Sequence, residues 1–105
     1  MFPKGGMGGM VKQAQQMKKK INQVQDELEK LDIEGQSGGG MVKVTVNGKK
    51  DVKSVRIDKN VLNEEVDMVE DLILAAINKA MDNADKISKG KMASLTGGLN
   101  IPGLF

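Results

Sequence analysis

Apolar residues recur at alternating steps of four and three along the first third of the chain, as in a coiled-coil seam. This spacing predicts a helix over residues 10–31, about 33 Å long at 1.5 Å per residue. Such a helix is too long for a compact body of 105 residues to cover. Four glycines lie in residues 1–9, and each costs about 1 kcal/mol in a helix, so we expect a flexible arm there. The seam positions are Met10, Ala14, Met17, Ile21, Val24, Leu28 and Leu31.

A small antiparallel sheet of two to three strands is predicted over residues 32–58. Within residues 41–46 the three valines alternate with polar side chains, and Asn47-Gly48 follows as a strong hairpin signal. In the returning strand Val52 is out of phase with Val55 and Ile57, which indicates a bulge or a looser turn near residues 49–51. Residues 32–37 are a candidate edge strand, which Gly35 is expected to weaken.

A second helix is predicted over residues 63–89, with Asn63 as its N-cap and Glu64 and Glu65 in its first turn. Its apolar arc is wider than a single seam, which implies one neighbour in the same chain and another in a partner. The helical pattern fades at Gly90, so residues 90–105 are predicted to be a flexible tail. The arc comprises Val66, Val69, Leu72, Ile73, Leu74, Ala76, Ile77, Ala80, Met81 and Ile87.

These elements define one α+β domain spanning residues 1–105, since a chain of this length rarely holds a second core. Its two aromatic residues, Phe2 and Phe105, stand at the extreme ends. Aromatic side chains normally supply much of the area buried in small cores. The monomer is therefore short of apolar surface, and we expect a homodimer.

Charge is segregated along the chain although the formal net charge is only +2. Residues 1–20 and residues 86–105 contain lysines and no acid, while all fourteen acids lie between them. If the first helix enters the sheet and the second leaves it, the basic ends of both could lie at the same distal pole. The basic terminal segments contain Lys4, Lys12, Lys18, Lys19, Lys20, Lys86, Lys89 and Lys91.

The residue inventory argues against catalysis. Histidine, cysteine and tyrosine are missing, so the usual general bases and thiol nucleophiles cannot be assembled. Acidic pairs such as Glu64-Glu65 are more simply solvated residues at a helix start than metal ligands, and the glycine-rich arm lacks the Gly-Lys-Ser/Thr of a phosphate loop. We expect no enzyme activity, no metal and no cofactor. The longest apolar run has six residues, so we expect a cytoplasmic protein without a membrane span.

The chain resembles the YbaB/EbfC family of bacterial nucleoid-associated proteins over essentially its whole length. No single segment is diagnostic, but their order and spacing together are specific. The resemblance implies a tweezer-shaped homodimer that binds DNA in the nucleoid, and gene neighbourhood in the family implies a recombination-repair protein as a further partner. The segments are Phe2, the glycine-rich arm, residues 10–17 with Lys12-Gln13-Ala14-Gln15-Gln16, residues 38–48, Val55-Arg56-Ile57-Asp58, Glu70-Asp71-Leu72, Ala76-Ile77-Asn78, Lys91-Met92-Ala93 and residues 99–103.

Two functions from different classes follow from these observations. The first is double-stranded DNA binding by the eight terminal lysines through phosphate contacts, with weak or no sequence specificity, since the chain has one arginine and no aromatic residue in its body. The second is a coiled-coil adaptor for a repair or replication protein, with the lysines serving only solubility. A membrane-surface helix is disfavoured because the first helix lacks bulky aromatic residues.

Overall fold

The computed structural model describes residues 4–95, with side chains from residue 9 onward. Two long helices flank a three-stranded antiparallel sheet, which confirms the predicted α+β architecture. Short 3₁₀ turns at Gly38–Gly40 and Lys59–Asn63 complete the connections. The helices and strands are α1 (Lys4–Glu29), β1 (Ile33–Ser37), β2 (Val42–Val46), β3 (Val52–Ile57) and α2 (Val66–Leu95).

The sheet has the order β1-β2-β3, so the candidate edge strand over residues 32–37 is confirmed as β1. The predicted bulge is present, but it lies two residues beyond the expected 49–51 segment. Thr45 pairs with Ser54 and Val46 pairs with Val52, which leaves Lys53 as the extra residue of β3. The bulge returns Val52 to the face that carries the other apolar side chains of β3.

Helix α2 lies across β1 and β2 with a strip of small side chains against the sheet. Ala76, Ala80 and Ala84 are fully buried there, as are the three valines of β2. A Cβ atom at Gly35 would lie 2.2 Å from the backbone nitrogen of Ala80 and 2.4 Å from the carbonyl oxygen of Ala76. The glycine expected to weaken β1 therefore allows the helix backbone to rest directly on that strand.

Two polar side chains fix this helix along β1. Ser37 Oγ donates a hydrogen bond to the carbonyl oxygen of Leu72, and Asn83 Nδ2 donates to the carbonyl oxygen of Glu34 at 3.0 Å. Successive contacts along α2 thus run backwards along β1, so the two elements are antiparallel. The carboxyl-terminal half of α2 is consequently directed past the Ile33 end of the strand.

The β2–β3 loop closes the carboxyl end of α1. The Asn47 side chain is buried and uses both ends: its Oδ1 accepts from the backbone nitrogens of Lys49 and Asp51, both at 2.9 Å. Its Nδ2 donates to the carbonyl oxygen of Glu29 at 3.2 Å. The hairpin that the Asn47-Gly48 pair predicted therefore also supplies a partner to a carbonyl that the helix end leaves open.

Both helices are longer than predicted. Residues 4–9 belong to α1, so a flexible arm is wrong for them, because a nucleated helix gains one backbone hydrogen bond with each residue added. Residues 90–95 belong to α2, so a flexible tail is wrong there too, because this segment packs against α1 through Lys91 and Leu95. Predictions for residues 1–3 and 96–105 lie outside the described part of the chain.

Asn63 is not the N-cap of α2. It ends the 3₁₀ turn, whose start is capped by Asp58 Oδ1 accepting from the Asn60 nitrogen at 2.9 Å. The turn buries Val61 in the core before α2 begins at Val66, with Asp67 as the acid of its first turn. The turn that ends at Asn63 thus anchors one more apolar side chain in the core.

Candidate nucleic-acid interface

The ends of α1 and α2 lie side by side and in opposite directions at one end of the sheet. Lys91 Nζ is 3.7 Å from Glu27 Oε2, and Val24 faces Ser94 and Leu95 across a shallow depression. The helices make the molecule long and thin, with extents of 75 × 22 × 17 Å. Both helices therefore extend from the same end of the sheet, as predicted. Their basic segments lie at different distances from it, because Lys91 is beside Glu27 whereas Lys20 is seven residues farther out, about 10 Å along α1.

The α1 lysines form an arm of positive charge beyond this contact. Lys12, Lys18, Lys19 and Lys20 are all exposed, and none has an acidic partner within 4.0 Å among residues 9–95. At 3.6 residues per turn, Lys12 and Lys19 share the side opposite the apolar seam, while Lys18 and Lys20 flank it. Lys4 is the first residue of α1, and its side chain lies outside those described.

The α2 lysines lie nearer the sheet and differ in how they are neutralised. Lys89 Nζ is 3.0 Å from Asp85 Oδ2, and Lys91 pairs with Glu27. Lys86 is exposed in a groove beside β1 that Asp82 also lines, without an ion pair within 4.0 Å among the described residues. The structure therefore separates Lys86 and the α1 lysines from two lysines that already have acidic partners.

Asp85 is the electrostatic link between the β2–β3 loop and α2. Its carboxylate is held by Lys89 and by Lys50, whose Nζ lies 3.2 Å from Asp85 Oδ1. Hydrogen bonding from Lys89 and then from Lys50 lowers the pKa of Asp85 below its ordinary value of 3.8. Asp85 is thus ionised at neutral pH and ties the β2–β3 loop to α2.

The apolar seam of α1 loses its cover towards the amino end. Leu28 is buried, Ile21 and Met17 are half-buried, and Met10 is 72% exposed. Met10 lies eighteen residues before Leu28, so it is about 27 Å farther out at 1.5 Å per residue. The outer part of the seam is open in the single chain.

A second apolar surface is open on β3. Val52, Val55 and Ile57 share the face of the buried β2 valines, because they pair with Val46, Val44 and Val42 in register. Helix α2 covers β1 and β2 but leaves these three side chains 38–48% exposed. The outer flank of α2 adds Val66 and Leu74, which are 71% and 57% exposed. One chain therefore leaves part of its sheet core uncovered.

The outer face of the sheet carries a cluster of polar side chains that the sequence analysis did not identify. Gln36, Lys43 and Arg56 stand in one row across the three strands. The signal that could have identified them is the alternation itself, which places every second residue of each strand on the face away from the helix.

No metal centre is evident in the part of the chain that the structure describes. It contains no group of three potential acidic ligands placed to hold an ion. Every buried side-chain nitrogen or oxygen among these residues has a hydrogen-bond partner. No helix within residues 4–95 is long and apolar enough to cross a membrane.

Comparison with known proteins gives a consistent result. The model of the YbaB/EbfC DNA-binding family matches residues 4–99. A nucleoid-associated protein of Caldanaerobacter subterraneus subsp. tengcongensis is 48% identical over 99% of this chain and 96% of its own length. A nucleoid-associated protein of Thermoanaerobacter pseudethanolicus is 47% identical over the same shares. An uncharacterized Helicobacter pylori protein of known crystal structure shares the fold, with a TM-score of 0.75 at 24% identity, over 92% of this chain and 100% of its own.

Proposed function

Since the chain belongs to the YbaB/EbfC DNA-binding family, we propose that it binds double-stranded DNA mainly through lysine–phosphate contacts, with weak or no sequence specificity. The observation that carries the proposal is the α1 arm, where Lys12, Lys18, Lys19 and Lys20 are exposed and have no ion pair within residues 9–95. An arm with four exposed ammonium groups and no acid before Asp26 matches the uniform negative charge of the duplex backbone.

The amino end of α1 strengthens the same surface. A helix carries partial positive charge at its first turn, and α1 has no acidic residue there to offset it. Backbone amides at such an end bind phosphate oxygens readily. Lys4, as the first helical residue, belongs to this end.

The remaining predicted contacts are of two kinds. Lys86 is exposed and has no ion pair among the residues that the structure describes, so it can bind a phosphate without losing such a pair. Lys89 and Lys91 would have to leave or share Asp85 and Glu27, so we expect them to contribute less.

The chemistry of the arm favours backbone contact over base reading. Bidentate guanine recognition relies chiefly on arginine, and the one arginine, Arg56, is on the sheet and not on the arm. Stacking platforms for single strands need aromatic rings, and residues 4–95 contain none. Gln13 and Gln16 on α1 are the polar side chains from which a modest sequence preference would come.

We propose further that the protein acts as a tweezer-like homodimer. The open β3 face and the outer flank of α2 together offer the apolar surface that a second copy would bury. A partner chain there would cover the apolar side chains of β3 that α2 leaves exposed. Two α1 arms would then double each phosphate contact. Light scattering at micromolar concentration is expected to give twice the 11.3 kDa chain mass.

The function is tested by a mobility shift with two unrelated duplexes of equal length over a series of salt concentrations. We expect similar affinities for the two sequences and a log affinity that falls linearly with log salt, by about 0.9 for each phosphate contact. Absence of a shift even at low salt would contradict the proposal and favour the adaptor function. A large preference for one duplex would contradict the weak specificity.

We also propose that the protein resides in the nucleoid of the cytoplasm, where its DNA ligand is. The relatives from Caldanaerobacter and Thermoanaerobacter are named as nucleoid-associated proteins. Fluorescence microscopy of a tagged chain should show it coincident with a DNA stain.

A further inference from the structure

We infer that the outer face of the sheet is a second contact surface for the DNA backbone, centred on Lys43 and Arg56. The inference rests on the proposed DNA binding but concerns a surface remote from the lysine arm. It begins from the register of the three strands. Gln36 of β1 lies opposite Lys43 of β2, which in turn lies opposite Arg56 of β3.

The Lys43–Arg56 pair is unfavourable for the stability of the sheet. Residues directly opposite on antiparallel strands have Cβ atoms about 5 Å apart, and like charges at such positions destabilise the sheet. Both side chains are exposed, and neither has an acidic partner within 4.0 Å among the described residues. A phosphate bound between them would turn this repulsion into two attractions.

Two acids close to this row accept hydrogen bonds from other residues. Glu34, on the same face, accepts a hydrogen bond from Gln36 Nε2. Asp58 lies beside Arg56 in a shallow depression of about 270 Å³, and its Oδ1 accepts from the Asn60 nitrogen. Neither carboxylate pairs with Lys43 or Arg56, so the charges of these two basic residues remain available to an external anion.

The surrounding side chains suit nucleic-acid backbone. The second row across the sheet places Thr45 opposite Ser54, beside the row that contains Lys43 and Arg56. Lysine, arginine, serine, threonine and glutamine are the side chains that most often bind phosphate and sugar oxygens. With strands about 4.8 Å apart, the Gln36–Lys43–Arg56 row spans roughly 10 Å, which is wide enough to follow a stretch of backbone but provides no groove-reading element.

Position on the fold makes this surface distinct from the arm. Lys43 and Arg56 project from the face of the sheet opposite α2, whose buried alanines cover the other face. Lys19 is nine residues before Leu28 on α1, about 14 Å along the helix from its junction with the sheet. A protein with both surfaces touches duplex at two places.

The test compares a Lys43→Gln/Arg56→Gln variant with a Lys50→Gln/Lys53→Gln control. Both variants remove two positive charges, but the control removes them from lysines that have acidic partners, Asp85 and Asp32. For the sheet variant we expect weaker duplex binding and a salt dependence that is flatter by about 1 to 2 for each protomer, at about 0.9 for each phosphate no longer bound. A weakening no larger than that of the control, while the wild type binds normally, overturns this inference alone.

Folding provides an independent readout. Because the variant removes a like-charge pair, its midpoint of thermal unfolding should equal or exceed that of the wild type. Protection of the Lys43 amine from acetylation by added duplex, measured by mass spectrometry on the wild-type chain, tests the contact without any substitution. Equal labelling of Lys43 with and without DNA contradicts it. If wild-type protein shows no salt-sensitive binding at all, the proposed function fails and the sheet surface with it.

Discussion

The backbone nitrogen of Gly48 donates a 2.7 Å hydrogen bond to the carbonyl oxygen of Leu28. This bond joins the β2–β3 loop to the last turn of α1, so the sheet itself closes the helix that forms the arm. Leu28 is the last seam residue within α1 and is almost fully buried. The direction of the arm relative to the sheet is therefore set at this junction.

Gly48→Ala should destabilise the fold at the junction. A Cβ atom at residue 48 would lie 2.7 Å from Leu28 Cδ2 and 2.8 Å from Leu28 Cβ. We expect a loss of about 1 to 3 kcal/mol in the free energy of unfolding, the usual cost of overpacking, measured by urea unfolding. Lys49→Ala is the neighbouring control, since it removes only an exposed ion pair with Glu29, worth less than about 1 kcal/mol. Equal stability of the two variants would contradict this packing of the loop against Leu28.

Gly35→Ala should have a larger effect, because the atoms it meets are backbone atoms of α2 that cannot move aside. We expect the free energy of unfolding to fall by at least about 3 kcal/mol, beyond ordinary overpacking. Gly90→Ala is the matched control: nothing lies within 4 Å of its Cβ position, and alanine gains about 1 kcal/mol in a helix. Thermal unfolding followed by circular dichroism should show opposite shifts for the two variants.

The sequence predicted those parts of the fold that depend on residues close together in the chain, and missed those that depend on contacts between distant residues. The alternation of Val42, Val44 and Val46 and the Asn47-Gly48 pair are local signals, and both described the sheet correctly. The role of Gly35 depends on Ala76 and Ala80, more than forty residues away, so the sequence showed only its poor strand propensity. The end of α2 likewise depends on the contact with α1.

The same distinction applies to the candidate site. Segregation of lysines from acids along the chain identified the basic arm, because charge order along a helix is visible in sequence. Whether a lysine is free is a tertiary matter: Lys91 looked equivalent to Lys86 until the structure placed Glu27 beside it. Lys43 and Arg56 were missed because strand pairing, not sequence proximity, brings them together.

Replacing Lys18, Lys19 and Lys20 together with glutamine should weaken binding to unrelated duplexes about equally. The three side chains point in different directions, so we expect each protomer to release one or two phosphates and the salt dependence to become flatter by roughly 1 to 4 in a dimer. Glutamine has nearly the helix propensity of lysine, so circular dichroism should be unchanged. As a control, replacing Lys49, Lys50 and Lys53 together with glutamine removes the same charge from lysines that have acidic partners. An equal weakening in that control would show that the arm lysines form only a solvated helix face and do not contact DNA.

Val55→Asp should abolish the dimer while leaving the monomer folded. Val55 is 43% exposed in the single chain, so a carboxylate there remains solvated in the monomer but would be buried without a partner in a dimer. Light scattering should show half the wild-type mass. Ser54→Asp places the same charge one residue away on the opposite face of β3 and should keep the dimer. A dimeric Val55→Asp variant would show that the interface is elsewhere.

Asp85 gives the fold a specific dependence on acid pH. Its pKa is lower in the folded chain than its ordinary value of 3.8, mainly through Lys89 and then Lys50. A lowered pKa means that its contribution to stability is present above pH 3.8 and is lost as the pH falls through the folded-state value. Asp85→Asn should therefore be less stable than the wild type at pH 7, and the difference should shrink as the pH falls below 3.8, measured by urea unfolding. Because Asp85 is open to solvent, the difference at pH 7 should be small.

The progressive exposure of the α1 seam also has a mechanical consequence. Near Leu28 the helix shares in the global stability of the core, whereas near Met10 it depends on its own backbone hydrogen bonds, in a segment with glycines at residues 5, 6, 8 and 9. Short isolated helices are marginal in water. We therefore expect α1 to be helical throughout but least stable at its tip, where its backbone amide hydrogens should exchange fastest, while its base stays fixed. In the proposed DNA complex, such a tip would adjust to duplexes of different curvature without strain in the sheet.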